Sequence, residues 1–421
     1  MTISNLQTYN QSQHGISCED IFPSARAIMT KLLDHNFKAY IVGGAVRDLL
    51  LGQHPKDFDI ATDATPEQIK NIFQNKCRLI GRRFRLAHVY HNREMYEVAT
   101  FRGVAQEGDR VINKGHILRD NVFGEIDQDA IRRDFTCNAL YFDIENNNVL
   151  DFCGGVDDIN KNKLQFIGEA PKRIVEDPVR MIRAIRFQAK LGLIMTDDLC
   201  QAIQNHHSTI ETVSVARLFD ELVKLFHCGN AYKAYELMNE LNLFKHIFPQ
   251  AIKAINGHKN NVTLIHNALK STDSRIKQNK SVTPIFLFAC FLWPLALEKS
   301  KKLQQKGSNQ YEAMNKAANE VFAISRKQLA IPKIIQIGIR NIWLLQNRFN
   351  FTRGKKVFFT LDHQRFRAAY DFLLLRKHES LEVKELGDWW TNIQTLSKNK
   401  QRDMVFPNKK PSKKPPKKKA H

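Results

Sequence analysis

The chain has 421 residues, and 64 lysines and arginines against 43 acidic residues give it a formal net charge of +21. A hydrophobic fraction of 43% with 25% charged residues lies in the globular range and excludes a wholly disordered or fibrous chain. The length suits two or three domains, and the charge favours a polyanionic partner, because clustered lysine and arginine displace the counterions condensed on nucleic-acid phosphates.

The first residues, Met1 to Cys18, are polar and carry no cationic-then-apolar signal segment. Ser24 to Phe37 has helical spacing (Ile28, Leu32, Leu33), Lys38 to Val42 reads as an apolar strand, and Gly43-Gly44 as a tight turn. Phe58 and Ile60 flank Asp59, Pro66 starts a helix through Phe73, and Arg78 to Thr100 reads as two or three strands. About the first 150 residues therefore predict a mixed sheet with helices. From Ile174 onward strand signals thin, and apolar periods such as Met181, Ile185 and Leu218, Leu222, Leu225 predict helix after helix.

Asn256 to Asn261 and Ser300 to Asn309 are loop-like in composition. The apolar run Ile285 to Leu297 is shorter than the about 20 residues that span a bilayer, and Pro294 interrupts it, so it reads as a buried core helix. Pro407 to His421 interleaves seven lysines with prolines and is expected to be disordered. Seven scattered cysteines with no Cys-x-x-Cys pair disfavour a disulfide framework and a zinc finger, and point to a reducing cytosol.

Four segments carry chemistry. Gly43-Gly44-Ala45-Val46-Arg47-Asp48 leaves a strand and enters a helix, where glycine lets backbone amides approach phosphate oxygens and Arg47 can fork onto a phosphate. A bland strand-to-helix turn has the same pattern. In Asp57-Phe58-Asp59 an extended backbone points both carboxylates one way and Phe58 into the core, an arrangement of like charges that divalent cations such as Mg²⁺ would relieve. Two solvated surface aspartates are the plainer alternative.

Arg132-Arg133-Asp134-Phe135 offers a third carboxylate in Asp134, with Glu97 as its rival, or simply a helix-capping aspartate. In Glu176-Asp177-Pro178-Val179-Arg180-Met181-Ile182-Arg183-Ala184-Ile185-Arg186-Phe187, Pro178 is a good helix start. Asp177, Arg180, Arg183 and Arg186 then follow at helical spacing, opposite Met181, Ile182 and Ile185. Acceptor and donor at that spacing can hydrogen-bond the edge of a base; an ordinary salt-bridged surface helix reads the same way.

With these segments in one order, the chain resembles the class II nucleotidyltransferases, the superfamily of tRNA CCA-adding enzymes and bacterial poly(A) polymerases. The matching strings are residues 43–52, 57–62, 132–139, 151–159 and 176–187, across a resemblance spanning roughly residues 20–395. Leu-Ile-Gly-Arg-Arg-Phe-Arg-Leu-Ala-His-Val (79–89), Phe-Arg-Ala-Ala-Tyr-Asp-Phe-Leu-Leu-Leu-Arg (366–376) and Asp388-Trp389-Trp390 are similar to the poly(A) polymerase branch.

The resemblance implies an α+β fold with a mixed-sheet nucleotidyltransferase head (21–165) after a flexible leader (1–20). A helical neck binding nucleobase and RNA (166–255), a helical body and tail binding RNA (256–400) and a disordered Lys/Pro-rich tail (401–421) would follow. It implies that Asp57 and Asp59 hold two Mg²⁺ ions, with Asp134 the third active-site carboxylate. Gly44, Arg47, Arg133, Arg183 and Arg186 would grip the triphosphate of ATP, Gly43 and Asp48 would belong to the same nucleotide-binding set, and Asp177 and Arg180 would face the adenine edge.

The implied reaction is template-independent transfer of AMP from ATP to RNA 3′ ends, with pyrophosphate released, in the cytoplasm and without a membrane. RNA phosphates would meet Arg326, Lys327, Lys333, Arg340, Arg348, Arg353, Lys355, Lys356, Arg365 and Arg367, and Trp343, Phe349 and Tyr370 are available for stacking or for core packing. A CCA-adding enzyme, which would use CTP, and a non-catalytic RNA-binding protein are the rival readings. A metal phosphohydrolase is disfavoured because no His-Asp dipeptide occurs in the chain.

Overall fold

The computed structural model describes residues 6–81, 85–103, 111–113, 116–119 and 122–407. The Lys/Pro-rich stretch from residue 408 and residues 82–84 of the 79–89 string lie outside the described residues. The chain divides into two compact units, one ending at His206 and the other starting at His207, a division that falls inside the stretch 166–255.

The first unit is built on strands β1 (Gln7–Tyr9), β2 (Ala39–Val42), β3 (Asp59–Thr62), β4 (Cys77–Ile80), β5 (Leu86–His91), β6 (Glu94–Thr100), β7 (Val111–Asn113), β8 (His116–Arg119), β9 (Leu140–Asp143) and β10 (Asn148–Asp151). Eight of them form one mixed sheet in the order β1-β10-β9-β2-β3-β6-β5-β4, while β7 and β8 pair separately. Only β3 and β6 run parallel in the large sheet; its other neighbours are antiparallel.

Local chemistry sets these elements. Thr65 caps the helix Pro66–Phe73 through a reciprocal box with Gln68, with proline at its first position. The β5–β6 hairpin turns through Asn92 and Arg93, both at positive φ, the two-residue geometry whose twist suits the flanking strands and fixes their register. The leader expected to be flexible instead contributes β1, which pairs with β10. Its backbone amides find strand partners there, and that outweighs its polar side chains.

Under the sheet, Val42, Ala61, Phe101, Ala130, Ala139, Tyr141 and Phe152 form a buried cluster. Helix Gly155–Asn160 approaches the turn Thr136–Asn138 closely: a Cβ on Gly155 would stand 2.2 Å from the Thr136 carbonyl oxygen. That glycine therefore sets how near the helix lies to the segment that follows Asp134.

The second unit is helical. Its helices include Val215–Phe226, Lys259–Lys277, Pro284–Gln305, Gln310–Ser325, Lys333–Phe349, Lys356–Leu361, Phe366–Leu375, Leu381–Thr395 and Lys398–Val405. Two expected loops are shorter than their composition suggests. Helix Pro284–Gln305 runs through Pro294 and Ser300 to Gln305, leaving only 306–309 as a connection, and 257–258 alone separates the helices at Asn256 and Lys259. Packing of Phe288, Phe291, Leu292 and Trp293 holds that helix despite one missing amide donor. Residues 398–405, partly within the stretch expected to be disordered, form a helix that buries Val405. Among the described residues no helix is long and apolar enough to cross a membrane.

Gly155→Ala is expected to lower stability by about 1–3 kcal/mol, the usual cost of forcing volume into a packed contact. A urea melt with an unchanged midpoint would refute this close-approach role.

Candidate active site

The acidic residues gather because of strand register. Ile60 of β3 lies beside Val98 of the parallel strand β6, which sets Asp59 next to Glu97 on the same face. On its other edge Asp59 lies opposite Val42 of β2, one residue before Gly43. Burial alternates as expected across Asp57 (exposed), Phe58 (buried), Asp59 (exposed) and Ile60 (buried), although the ladder begins only at Asp59.

Asp59 keeps a face open to solvent within a dense protein surround. That partial desolvation, with Glu97 and Asp57 adding and Arg133 opposing, raises its carboxyl to about 6. Among the described residues no three His, Cys, Asp or Glu side chains are placed to hold a metal ion as they stand, but Asp59 with Glu97 and Asp57 near it offers oxygens of the kind a hard cation takes. The donor set is all oxygen and part exposed, which fits a hard, partly hydrated ion.

Gly43 carries φ +70° and hydrogen-bonds its amide to the Leu140 carbonyl. The positive φ favours glycine, and a Cβ there would stand 3.2 Å from an Arg133 Nη atom, which would have to shift by a few tenths of an ångström. Arg133 donates to Asp129 at 2.8 Å and to the Tyr141 hydroxyl at 3.1 Å, and lies over the Tyr141 ring.

Asp134 is largely buried, with Arg183 against it. One carboxylate oxygen accepts from Arg183 at 2.6 Å, and the other from the Asn138 amide at 3.1 Å and the Phe135 backbone at 3.0 Å. Burial alone would push its carboxyl up, but Arg183 and the hydrogen bonds of Asn138 and Phe135 more than offset this, and it lies below the usual range. Both its oxygens are committed to protein donors, whereas Glu97 lies beside Asp59.

Arg47 is also turned inward, its side chain only 5% exposed. Its fork is taken up by Asp48 and, at 2.5 Å, by the Asn138 side-chain oxygen, so the phosphate fork expected of it is already engaged. Asp48 in turn has the Lys190 ammonium at 3.8 Å.

On helix Val179–Leu191, Arg183 and Arg186 approach the ring of buried Phe187 at 5.7 and 4.7 Å, and Arg47 approaches the same ring at 5.0 Å. The single Phe187 ring thus has three guanidinium groups within about 6 Å of its centroid, each contact worth about 0.5–2 kcal/mol of cation–π attraction. Asp177 accepts from the Val179 backbone at 3.3 Å, where helix Ala170–Glu176 gives way to the next. Arg180 donates to Glu176 at 2.8 Å and to the Arg173 carbonyl at 2.7 Å.

The sequence reading missed Phe187 and Asn138 as organisers. Phe187 was legible only as an apolar helix position, and Asn138 only as the residue four after Asp134.

In the second unit, Arg326, Lys327, Lys333, Arg348, Arg353, Lys355, Lys356 and Arg367 are exposed, and Arg340 and Arg365 are half-buried. Trp343, Phe349 and Tyr370 are core rather than stacking surfaces: the Trp343 indole donates to the Ala289 carbonyl, Phe349 packs on Trp390, and Tyr370 bonds Thr391.

Comparison with known proteins bears on this geometry. A model of the poly A polymerase head domain matches residues 39–165, one of a probable RNA- and SrmB-binding site of polymerase A matches 192–255, and one of the polymerase A arginine-rich C-terminus matches 306–421. Poly(A) polymerase I of Salmonella typhimurium is 41% identical over 94% of this chain and 87% of its own length. The chain belongs to the poly(A) polymerase family.

As a member of that family it is a nucleotidyltransferase that adds adenylate to RNA 3′ ends without a template. A CCA-adding enzyme of Staphylococcus haemolyticus is 35% identical over 54% of this chain and 56% of its own. The structure of the Bacillus stearothermophilus CCA-adding enzyme with CTP is similar at TM-score 0.53 and 27% identity, covering 84% of both chains. Likeness to poly(A) polymerase thus runs through nearly the whole chain, and the aligned likeness to this CCA-adding relative through about half.

Asp134→Ala is expected to cost about 3–5 kcal/mol, because it leaves Arg183 in a mostly buried place without its anion. In the wild type this contribution is present above pH 3.8, the ordinary carboxylate value, and is lost as pH falls through the lower value of the folded state. An Asp134→Ala variant melting like the parent at pH 7 would refute the pairing.

Proposed function

We propose that Asp57, Asp59 and Glu97 form the metal-binding face, with Glu97 rather than Asp134 as the third carboxylate, and that the metal is Mg²⁺. The single observation carrying this is the register that sets Asp59 between Val42, at the glycine turn, and Glu97. Two ions held there would supply charge neutralisation for the attacking 3′-oxygen and the departing pyrophosphate.

The chain's own residues do the positioning. Gly43 and Gly44 leave the turn open to close approach of phosphate oxygens, Arg133 presents a cation beside Gly43, and Arg183 and Arg186 gather on the Phe187 ring with Arg47, which lies next to Gly44. Arg47 and Asp48 back this array from beneath, and Asp134 with Asn138 keeps Arg183 in one pose until a triphosphate competes for it. Asp177 and Arg180, at the start of helix Val179–Leu191, offer an acceptor and a donor to the adenine edge in place of a template base. Preorganised donors of this kind cost no reorganisation as charge develops.

Residues 21–165 are the proposed head, 166–255 a neck that meets nucleobase and RNA, and 256–400 the body and tail that hold RNA phosphates. The cytoplasm, where RNA and ATP are both at hand, is the proposed location. Purified protein incubated with a short labelled RNA, Mg²⁺ and each nucleoside triphosphate separately tests the reading: long products with ATP alone are expected, and a CTP-dependent product confined to tRNA would overturn it.

Asp59→Asn is expected to reduce transfer by on the order of a thousandfold or more, with melting temperature and RNA affinity close to the parent's. Equal loss of stability and activity would count against a metal role.

The rate should also fall as pH drops through about 6, where Asp59 takes up a proton and its claim on a cation weakens. More Mg²⁺ should move that break to lower pH. A break that ignores Mg²⁺ would detach the titration from the metal.

A further inference from the structure

The second unit holds a hollow of about 720 Å³, within the range of ligand-binding clefts, among the start of helix Gln310–Ser325, the end of helix Lys333–Phe349 and helix Lys356–Leu361. Three aromatic rings line it and remain open to solvent: Tyr311 is 50% exposed, Phe351 46% and Phe359 69%. Their exposure contrasts with Trp343, Phe349 and Trp390, which are buried completely in the same unit. Phe359 points outward because its short helix spends its inward face on Val357 and Thr360.

The wall is cationic as well as aromatic. Lys356 holds its ammonium 4.3 Å from the Phe351 ring centroid, and Arg348, exposed, ends the neighbouring helix. None of the residues lining the hollow is acidic. Exposed apolar surface of this kind needs a partner, and here the partner must satisfy flat rings and positive charges together. A greasy peptide would cover the rings and leave the cations unmatched.

We propose that this hollow binds single-stranded RNA, with unpaired bases laid on Phe351, Phe359 and Tyr311 and the adjoining phosphates held by Arg348 and Lys356. Every base has a π-face, so such stacking tolerates any sequence, while a duplex, whose bases already stack on one another, has none to give. The hollow lies outside residues 192–255, the stretch matched to a probable RNA-binding site. It is thus a second place where the chain would grip its substrate, and the proposal rests on RNA being that substrate.

The test uses the full-length protein, no ATP, and an adenine-rich RNA of about a dozen nucleotides carrying the fluorescent base 2-aminopurine. The pair Phe351→Ala and Phe359→Ala should weaken its binding about tenfold or more, in line with stacking measured by alanine substitution, and abolish quenching of the probe. Duplex RNA of the same length should bind both proteins alike.

Because Phe359 is the most exposed ring, its single variants separate stacking from folding: Phe359→Trp should restore affinity, and Phe359→Leu, apolar but without a ring face, should not. Wild-type affinity in the alanine pair, equal rescue by leucine, or equal loss for single strand and duplex would each overturn the proposal. A protein that binds through these rings yet adds no adenylate would refute the transfer reading instead, and leave the hollow supported.

Discussion

The first unit depends on one register. Strand β3 lies between an antiparallel and a parallel neighbour, so a single alignment sets Asp59 against Val42 on one edge and next to Glu97 on the other. A slip of one residue would turn Asp59 into the core and Ile60 to the surface, at the cost of burying a carboxylate and exposing a large aliphatic side chain. The hydrophobic alternation of Phe58 and Ile60 therefore enforces the acidic cluster. The fold accepts this because burial of those two side chains outweighs it, and the Asp59 carboxyl is raised first by its own desolvation and then by the charge of Glu97.

The positive side of the site has the opposite difficulty, since several guanidinium groups must share a small space. The structure handles this by giving most of them an anion or an aromatic face. Arg133 has Asp129 and Tyr141, Arg183 has Asp134, Arg47 has Asp48 and Asn138, and Phe187 lies under three of them. Such groups are held before substrate arrives, which favours electrostatic stabilisation of developing charge. They also serve stability: Asp134, Asn138 and Gly155 tie the cationic array to the sheet through the turn Thr136–Asn138.

The helical unit sorts its aromatic residues by position. Trp343, Phe349, Tyr370 and Trp390 close the interior, with indole donors satisfied by the carbonyls of Ala289 and Phe349. Tyr311 stands at the start of its helix, Phe351 just after one, and Phe359 on the outer side of helix Lys356–Leu361, and all three stay exposed. The same residue types thus make a core in one place and a surface for flat ligands in another.

The sequence by itself determined the sheet-then-helices order, helix Pro66–Phe73, the strands between Cys77 and Thr100, and the joint presence of the glycine turn and the acidic pair. Period-two and helical spacing, capping residues and glycine are local signals, and they survive whatever the rest of the chain does. It also carried the family through five strings.

Only the tertiary structure decided which acid stands beside Asp59, because Glu97 is thirty-eight residues away in sequence and reaches it through strand pairing alone. The inward turn of Arg47, the clasp of Arg183 on Asp134, the pairing of residues 7–9 and the run of helix past Ser300 to Gln305 were likewise long-range decisions. Each hinges on a partner that local spacing cannot name: a charge, a ring or a strand edge brought near by the packing of distant segments.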